Sequence, residues 1–435
     1  DKAAAAFEGW SKVGPNERRM LLLRAADQLE ARADELIQTV MLETGAAAAW
    51  GGFNVHLAAK MLREAGAITT QITGEVIPSD RPGVLAMGIR QPAGVSLGIA
   101  PWNAPIILAT RAVAVPLACG NTVVLKGSEA CPRTHQLLAE IIASAGFPDG
   151  VVNVVTNAPQ DAASVVEALI LHKAVRRVNF TGSTHVGRII GRICGEALKP
   201  VLLELGGKSP LLVLDDADLD LAVNAAAFGA FMNSGQICMS TERIIVQEKV
   251  ADEFVKRLSA KAAALPVGNP RTEKVVLGSV ISREAVDKVQ GLIQDAVGKG
   301  AVLAGGAADR TFMAAAVLDR VSPDMKIYHD ESFGPVVSVI RVKDDEEAIR
   351  TANDTEYGLS AAVITTNITR GIKIARRIES GICHINGPTV QDEAQVPFGG
   401  VKASGVGRFG GRWGIEFFSE TRWLSIETEE PHFPF

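Results

Sequence analysis

The sequence predicts an α/β fold with parallel sheets, arranged as two α/β regions and a separate β arm. Short apolar segments alternate with helical segments over most of the chain, and such alternation builds parallel sheets through βαβ units. The chain has 435 residues, of which 47% are hydrophobic, which suits two or three domains with cores of their own. We therefore expect a multidomain protein with a cleft between its two main units.

The first part of the chain is predicted to be helical. From Glu17 to about Glu43, apolar residues recur at helical spacing among charged ones. Residues 74–92 differ, because Pro and Gly stand at turn positions between short apolar runs. This second pattern is typical of a β-hairpin and favours an arm outside the core.

The α/β part follows in two stretches. The first contains predicted strands at 94–101, 121–128, 150–156, 176–183 and 200–207, with predicted helices ending at Cys119 and spanning 131–146 and 184–198. The second contains predicted helices near 217–232 and 251–264, with predicted strands at 241–247, 334–342 and 360–366. Each stretch should form one α/β unit.

Composition argues against several classes of protein. The five cysteines never form a C-x-x-C pair, and no histidines have metal-binding spacing, so neither disulfides nor a metal site is predicted. The net charge of −5, with acids and bases interspersed, offers no basic stripe to a nucleic acid. We see no signal peptide and no apolar run near the roughly 18 residues of a membrane span. We expect a cytoplasmic enzyme that acts on a small molecule and has no nucleic-acid or membrane partners. Because the sequence opens without Met, we also expect further residues before Asp1.

Cys238 is the candidate nucleophile. It follows Ser-Gly-Gln and immediately precedes a predicted strand, at the edge of the expected cleft. A thiolate is the strongest nucleophile among protein side chains. The alternative is that a free cysteine is an inert buried apolar residue. That interpretation suits the other four better, namely Cys119, Cys131, Cys194 and Cys383.

Glu204 is the candidate base. It lies inside the apolar run VLLELGG, which ends in two glycines that permit close approach of another group. Burial would raise the pKa of its carboxyl toward neutrality and suit it to take a proton from water. A buried structural glutamate paired with a lysine would give the same sequence pattern.

Three strand ends offer polar groups to a ligand. Asn103 lies in a Pro-bounded turn and could donate to an oxyanion, or simply cap the turn. The Gly182-Ser183 junction of strand and helix could seat a phosphate, or be a structural turn. Lys126 and Glu129 could hold ribose hydroxyls, or be solvated side chains. No G-x-S-x-G elbow of a serine hydrolase is present.

Taken in order, the motifs resemble those of the aldehyde dehydrogenase superfamily, over nearly the whole chain. They are PWN at 101–103, KGSE at 126–129, FTGST at 180–184, ELGGKSP at 204–210, GQIC at 235–238, ESFGP at 331–335 and PFGGVKASGVGR at 397–408. The resemblance implies a Rossmann-like cofactor domain (1–72 and 93–204), an α/β catalytic domain (205–418) and a β oligomerisation arm (73–92 and 419–435). A homodimer or a dimer of dimers is expected from the same resemblance.

The resemblance also implies roles for the candidate residues. Cys238 would add to the aldehyde, its oxyanion held by the Asn103 amide and the Cys238 backbone N–H. Glu204 would activate the water that hydrolyses the thioester. The cofactor-binding residues implied are Ala100, Pro101, Trp102, Lys126, Ser128, Glu129, Gly182, Ser183, Gly187, Leu205, Gly206, Glu331 and Phe333. NAD is favoured over NADP, because a carboxylate at position 129 accepts from a ribose hydroxyl but repels a phosphate.

Two positions depart from the family pattern. Many relatives carry a Lys nine residues after the Asn of PWN and a Glu after the last Gly-Arg, where this chain has Ala112 and Phe409. A Lys–Glu proton route to the general base is therefore expected to be absent. We expect water or backbone groups to take the proton from Glu204.

Arg111 bears on the choice of aldehyde. By similarity, the candidates that line the substrate tunnel are Trp50, Ala104, Ile107, Arg111, Met232, Ile237 and Met239. A guanidinium in an apolar tunnel needs an acceptor, and this predicts a polar, phenolic aromatic aldehyde, as in the branch that oxidises salicylaldehyde, vanillin and benzaldehyde. The alternative is that Arg111 pairs with a protein carboxylate and contacts no substrate.

Other functions remain open from sequence. A semialdehyde or CoA-acylating dehydrogenase is the nearest rival, although Glu204 favours water as the acyl acceptor. A non-catalytic structural homologue is a third possibility, and the presence of Cys238, Glu204 and Asn103 argues against it.

Overall fold

A computed structural model describes residues 1–430 and 432–435. Its helices are α1 Lys2–Trp10, α2 Pro15–Ala31, α3 Ala33–Thr44, α4 Ala48–Ala67, α5 Pro105–Ala118, α6 Pro132–Ser144, α7 Ala162–Leu171, α8 Thr184–Glu196, α9 Leu219–Phe231, α10 Glu248–Ala263, α11 Arg283–Gly298, α12 Lys326–His329, α13 Asp345–Asn353, α14 Ile368–Ala375 and α15 Gly411–Phe418. Its strands are β1 Glu75–Ile77, β2 Val84–Pro92, β3 Val95–Ile99, β4 Thr122–Lys126, β5 Val152–Val155, β6 Val175–Thr181, β7 Val201–Glu204, β8 Ser209–Val213, β9 Thr241–Gln247, β10 Val302–Gly305, β11 Ala308–Asp309, β12 Phe312–Met313, β13 Ala316–Asp319, β14 Val336–Val342, β15 Ser360–Ile364, β16 Ile382–Ile385, β17 Gly405–Val406 and β18 Ser419–Glu427.

The first sheet has six strands in the order β17-β7-β6-β3-β4-β5. All pairs are parallel except β17 with β7. Strand β3 is buried along its whole length, as expected for a parallel strand with helices on both faces. The chain leaves β3 toward β4 on one side and returns as β6 on the other. A sheet binds ligands at such a reversal, beyond the carboxyl ends of its strands.

The second sheet has seven strands in the order β10-β13-β14-β9-β8-β15-β16. Only the edge strand β10 is antiparallel to its neighbour. Strands β8, β9 and β15 are fully buried, with apolar side chains from helices on the two faces completing the core. The chain passes from the first sheet to the second between Glu204 and Ser209.

A third sheet stands apart. It has the order β1-β2-β18, and β2 pairs antiparallel with β18 from Val84↔Glu427 to Pro92↔Ser419. Most of its side chains are exposed, including Val76, Trp423 and Ile426. This is the hairpin and C-terminal strand that the sequence predicts as an arm.

The predicted strands and helices are confirmed, but one feature of the fold differs from expectation. Strand β17 belongs to the stretch predicted as the catalytic domain, yet it pairs with β7 of the first sheet. Helix α4 is 20 residues long and carries the buried Trp50. No helix among residues 1–430 and 432–435 is long and apolar enough to cross a membrane.

Candidate active site

A strained turn presents Cys238. The turn follows α9, where Asn233, Ser234 and Gly235 adopt positive φ angles of 49°, 55° and 72°. Side chains other than glycine rarely adopt this conformation. At Gly235 a glycine is required for a second reason, since a Cβ there would lie 2.0 Å from the carbonyl oxygen of Gly334. The backbone shape next to Cys238 is therefore fixed by the packing around it.

Hydrogen bonds of Asn103 and Gln236 connect this turn to the segment that follows β3. The Asn103 Nδ2 amide donates to the Gln236 carbonyl at 3.0 Å, and the Gln236 Oε1 atom accepts from the Ile281 N–H at 2.9 Å. The Asn103 carbonyl in turn accepts from the Trp50 indole at 2.8 Å and from the Asn233 amide at 3.0 Å. One Nδ2 hydrogen of Asn103 is left for another acceptor.

Glu204 is the last residue of β7 and is fully buried. Neither of its carboxyl oxygens has a hydrogen-bond partner in the described part of the chain. The alternative of a structural glutamate paired with a lysine does not hold for Lys208, the nearest lysine in sequence, because it binds Glu242 at 2.7 Å. Burial raises the pKa of Glu204 to about 7, and the neighbouring Cys238 thiol and the positive charge of Arg111 partly oppose the rise.

The thiol of Cys238 is affected by the same carboxyl group. Burial raises the pKa of Cys238 well above its usual range, and the negative charge of Glu204 raises it further. The negative charge of Glu204 therefore favours the protonated thiol, whereas the thiol favours the ionised form of the Glu204 carboxyl group. The thiol has a base beside it that can accept its proton, as an activated nucleophile needs.

Gly207 allows the turn that carries Cys238 to pack against the segment between β7 and β8. A Cβ at this position would lie 2.3 Å from the carbonyl oxygen of Cys238. The absence of a side chain therefore lets the cysteine turn approach the backbone next to Glu204. As the sequence predicts, the two glycines of ELGG allow other groups to approach the backbone closely: Glu331 at Gly206 and Cys238 at Gly207.

A cavity of about 190 Å³ opens on one side of Cys238. All seven predicted substrate residues line it, namely Trp50, Ala104, Ile107, Arg111, Met232, Ile237 and Met239. The sequence did not indicate several others, namely Phe53, Leu57, Leu108, Phe228, Val390, Gln391, Asp392 and Phe398. The walls are mostly apolar and aromatic, as in small-molecule sites generally.

Arg111 does not enter this cavity as a free cation. Its guanidinium forms a buried ion pair with Asp392 and lies over the Phe398 ring, 4.0 Å from the centroid. The alternative that Arg111 pairs with a protein carboxylate is thus what the structure shows. The prediction that its charge demands a substrate acceptor is wrong, because Asp392 already supplies that acceptor.

A second cavity, of about 270 Å³, opens on the other side of Cys238. It is lined by Pro101, Trp102, Asn103, Thr181, Gly182, Ser183, Glu204, Leu205, Gly206, Cys238, Lys288, Glu331 and Phe333. It lies beyond the carboxyl ends of β3 and β6, at the reversal of strand order. Thr181 and Lys288 are the members that the sequence did not indicate. Cys238 and Asn103 line both cavities.

Glu331 forms one wall of the second cavity. Its carboxylate accepts from the Gly207 N–H at 2.9 Å, and a Cβ on Gly206 would lie 3.0 Å from one of its oxygens. Burial raises the pKa of Glu331 to about 7, with the Gly207 N–H opposing the rise. The next aromatic residue, Phe333, meets Trp102 edge-on, with centroids 5.9 Å apart.

The N-terminus of α8 also faces the second cavity. Ser183 caps this helix, its Oγ accepting from the Val186 N–H at 3.3 Å. Gly187 lies one turn further, and a Cβ there would be 2.3 Å from a Leu205 methyl group. Ser183 and Gly187 thus have structural roles, and the N-terminus of α8 also borders the second cavity, where a helix can bind an anion.

Five predicted cofactor residues lie outside the lining of this cavity: Gly187 on α8, and four at the ends of β3 and β4, namely Ala100, Lys126, Ser128 and Glu129. The Ala100 N–H donates to the Lys126 carbonyl at 3.2 Å, and the Lys126 ammonium binds the Glu129 carboxylate. Asn157 donates to the same carboxylate at 3.0 Å. Ser128 donates its N–H to the ring of the buried His135 at 2.9 Å. Lys126 and Glu129 are thus neither free nor fully solvated.

The two positions that depart from the family pattern are both buried. Ala112 lies on α5, and its carbonyl accepts from Asn179 at 3.2 Å. Phe409 packs near Arg111, with the guanidinium carbon 5.8 Å from its ring centroid. Neither side chain can carry a proton, so a Lys–Glu relay has no members at these positions.

Comparisons with known proteins agree with this geometry. The profile of the Aldehyde dehydrogenase family matches residues 1–424. A vanillin dehydrogenase of Pseudomonas fluorescens is 58% identical over 433 residues, which cover 99% of this chain and 90% of the relative. A salicylaldehyde dehydrogenase of Pseudomonas putida is 50% identical over 435 residues, covering 100% and 90%. The crystal structure of a salicylaldehyde dehydrogenase from Pseudomonas putida G7 complexed with salicylaldehyde gives a TM-score of 0.98 at 50% identity, and covers 100% of this chain and 90% of that chain.

Proposed function

Because the chain belongs to the aldehyde dehydrogenase family, we propose that it oxidises aromatic aldehydes to carboxylic acids, with Cys238 as nucleophile and Glu204 as base. One observation carries the proposal: Cys238 and Asn103 line both cavities. A molecule in either cavity can therefore reach the same sulfur atom. One cavity suits an apolar ring, and the other lies where a parallel sheet binds a dinucleotide.

The first cavity has the size of a substituted benzene ring. An apolar protein cavity of about 150 Å³ is known to hold benzene, and this one measures about 190 Å³. It can thus take a benzaldehyde with one or two small substituents. The names of the vanillin and salicylaldehyde dehydrogenases that resemble this chain support the same class of substrate.

Cys238 begins the reaction by attacking the aldehyde carbon. Glu204 accepts the thiol proton, since its carboxyl oxygens have no other partner. The negative oxygen that forms is held by the remaining Nδ2 hydrogen of Asn103 and by the Cys238 N–H, which donates to no protein group in the described residues. Donors fixed in place before the reaction stabilise such an oxyanion strongly.

The second cavity would hold NAD(P), the cofactor that this family uses. The residues fit a dinucleotide, because the glycine cradle at Gly206, the N-terminus of α8 and the carboxylate of Glu331 converge there. When bound, the nicotinamide supplies the hydride acceptor for the oxidation. Lys126 and Glu129 would hold the adenosine ribose, and the carboxylate of Glu129 favours NAD over NADP because it would repel a 2′-phosphate.

Glu204 completes the cycle by activating water against the thioester. Its pKa of about 7 leaves a substantial fraction ionised at neutral pH, which suits a general base. This role favours water over CoA as acyl acceptor. A semialdehyde substrate is disfavoured, since Asp392 neutralises the cation that its carboxylate tail would need.

The test is turnover of a panel of aldehydes with NAD. Benzaldehyde, hydroxylated benzaldehydes, an aliphatic aldehyde and a semialdehyde would be compared by NADH formation and by the identity of the acid product. We expect kcat/KM to be highest for the aromatic aldehydes, and the Cys238→Ala variant to be inactive with all of them. Higher efficiency with the aliphatic aldehyde or the semialdehyde, or a requirement for CoA, would contradict the proposal.

The arm leads to a proposal about assembly. Its sheet exposes Val76, Trp423 and Ile426, the first two by more than 70%, and an exposed apolar sheet is a liability for a monomer. We propose that a second copy covers it in a homodimer, or a dimer of dimers. Replacing Trp423 by Ser should lower the molar mass of the particle measured by light scattering. A wild-type protein with the mass of a monomer, or a Trp423→Ser variant with the wild-type mass, would contradict this role.

A further inference from the structure

The segment 330–333 carries two side chains of the second cavity but lies outside the helices and strands. It connects α12, which ends at His329, with β14, which begins at Val336. Glu331 and Phe333 both line the cavity, and Phe333 has a positive φ of 52°. A residue other than glycine rarely adopts this conformation unless neighbouring groups hold it there. The hydrogen bonds of the segment therefore determine where the two side chains lie.

Glu242 holds the backbone of this segment. Its carboxylate accepts from the Ser332 N–H at 3.0 Å, from the Ser332 hydroxyl at 2.8 Å and from the Phe333 N–H at 3.1 Å. The fourth donor is the Lys208 ammonium at 2.7 Å, which also donates to the Asp330 carbonyl at 2.7 Å. Because an ionised carboxylate has about four acceptor sites, these donors occupy it fully.

Glu242 and Lys208 form a buried ion pair, with side chains 5% and 0% exposed. Such a pair is weak evidence of stability, because well-packed apolar side chains of similar volume often stabilise a fold as well. Apolar side chains could not accept the hydrogen bonds from Ser332 and Phe333. Placement of the segment therefore explains the pair better than stability of the core does.

Building on the proposed function, in which the second cavity holds the dinucleotide, we propose that Glu242 is a positioning residue for the cofactor. It holds segment 330–333 so that Glu331 and Phe333 meet the nicotinamide half of the dinucleotide. Glu242 itself lines neither cavity, so it acts through the segment. Lys208 balances its charge and holds the Asp330 end.

The position of the second cavity selects the nicotinamide half. This cavity contains Cys238, next to which the hydride acceptor must lie. Lys126 and Glu129, proposed for the adenosine ribose, do not line it. Glu242 is the second residue of β9 and follows Cys238 by four positions, so the same stretch of chain places both the nucleophile and the segment.

The experiment compares the dissociation constants of NAD and AMP, measured by calorimetry on the full chain. In Glu242→Gln an NH₂ group replaces one oxygen, so at least one of the donors loses its acceptor. The dissociation constant of NAD should rise about tenfold or more, because a smaller fraction of molecules then holds the segment in the binding arrangement. AMP contacts only the adenosine end, so its dissociation constant should not change.

Ser332→Ala repeats the test without disturbing a charge. It removes the hydroxyl donor to Glu242 and keeps the Ser332 N–H. We expect the dissociation constant of NAD to rise about threefold or more, as for the loss of one hydrogen bond, again without an effect on AMP. If Glu242→Gln does not fold, this variant alone decides.

Asp319→Asn is the matched control, because it alters a carboxylate of another ion pair in the same sheet. Asp319 lies on β13 and accepts from Arg341 at 2.7 Å, with side chains 10% and 17% exposed. It lines neither cavity, so the binding of NAD and AMP should both stay unchanged. NAD binding unchanged in Glu242→Gln and Ser332→Ala, or AMP binding weakened as much as NAD binding, would overturn the inference.

A double-mutant cycle shows whether Glu242 acts through Glu331. In a Glu331→Gln background, Glu242→Gln should weaken NAD binding by a smaller factor than in the wild type, because the side chain that the segment presents has already lost its charge. Equal factors in the two backgrounds would contradict the positioning role. Labelling of Cys238 by iodoacetamide in the absence of NAD should stay close to that of the wild type in Glu242→Gln.

The outcome also separates this inference from the function on which it rests. If the wild type binds NAD and oxidises benzaldehyde, but both variants bind NAD as tightly, the role of Glu242 is wrong and the proposed function stands. If the wild type oxidises no aromatic aldehyde, the proposed function itself fails.

Discussion

Lys208 binds the carboxylate of Glu242 at 2.7 Å, although it lies only four residues after Glu204. Glu242 also accepts from the N–H groups of Ser332 and Phe333, at 3.0 and 3.1 Å. The lysine that could have neutralised Glu204 is therefore used to hold the loop beside the second cavity. Burial therefore raises the pKa of Glu204 without opposition from Lys208.

The pH dependence of thioester hydrolysis should follow Glu204. Its pKa is raised to about 7, so the carboxylate that accepts a proton is depleted below this pH and complete above it. We expect the deacylation rate to rise with pH through about 7 and then to level off. In Glu204→Gln this rise should disappear, and kcat should fall by roughly 10² to 10⁴.

Glu331 provides the control, because burial also raises its pKa to about 7. Glu331→Gln should weaken NAD binding but keep the rise of deacylation with pH in single-turnover experiments. If the rise vanished in Glu331→Gln and survived in Glu204→Gln, the assignment of the base would be incorrect.

Replacing Gly207 by Ala should displace the nucleophile. The added Cβ would lie 2.3 Å from the Cys238 carbonyl, so the cysteine turn must move, and a shift of about 1 Å can cost around 10² in rate. Gly291→Ala is the matched control, since nothing lies within 4 Å of its Cβ and it sits inside α11. Steady-state kinetics should show a large loss of kcat in the first variant and none in the second.

Replacing Asn103 by Ala should remove one donor to the oxyanion. Loss of such a donor costs about 10² to 10³ in kcat. The same amide also holds the Gln236 carbonyl, so the reactivity of Cys238 toward an alkylating reagent should be measured in parallel. A kcat loss below about tenfold, with normal alkylation, would exclude the oxyanion role.

Removing only one partner of the Arg111–Asp392 ion pair should lower the stability of the fold. Both side chains are about 95% buried, and removing one partner of a buried pair costs about 3–5 kcal/mol. Arg111→Ala should therefore lower the free energy of unfolding in urea by that amount. The double variant Arg111→Met with Asp392→Leu should recover most of it, because no lone charge remains. Equal losses in both variants would mean that packing against Phe398 is the main contribution of Arg111.

The preference for NAD should depend on Glu129. Its carboxylate binds Lys126 and Asn157, and these groups lower its pKa against the opposing effect of burial, so it carries a negative charge at neutral pH. Glu129→Gln removes the charge that would repel a 2′-phosphate and frees Lys126 to bind it. The ratio of the dissociation constants for NADP and NAD, measured by fluorescence quenching, should shift toward NADP by about tenfold or more. An unchanged ratio would place the choice of cofactor elsewhere.

Much of this site could be predicted from sequence because its main residues lie at or near strand ends: Glu204 ends β7, Asn103 follows β3 and Cys238 precedes β9. Each of the three lies in a short motif with a local reason for its residue types. Asp392 could not be found in this way. It lies 281 residues from Arg111 in a loop without periodicity, so only the folded chain shows that the two charges meet. The pairing of Lys208 with Glu242 could not be predicted for the same reason, since the two residues lie 34 positions apart in the sequence.

The placement of Cys238 between two cavities has a consequence for inhibition. Apart from Cys238 and Asn103, the aldehyde cavity and the dinucleotide cavity are lined by different residues. We therefore expect a ring-sized electrophile in the aldehyde cavity to alkylate Cys238 while the dinucleotide remains bound. Selectivity of such a reagent among related enzymes would then depend on the walls around Asp392, and leave the dinucleotide site untouched.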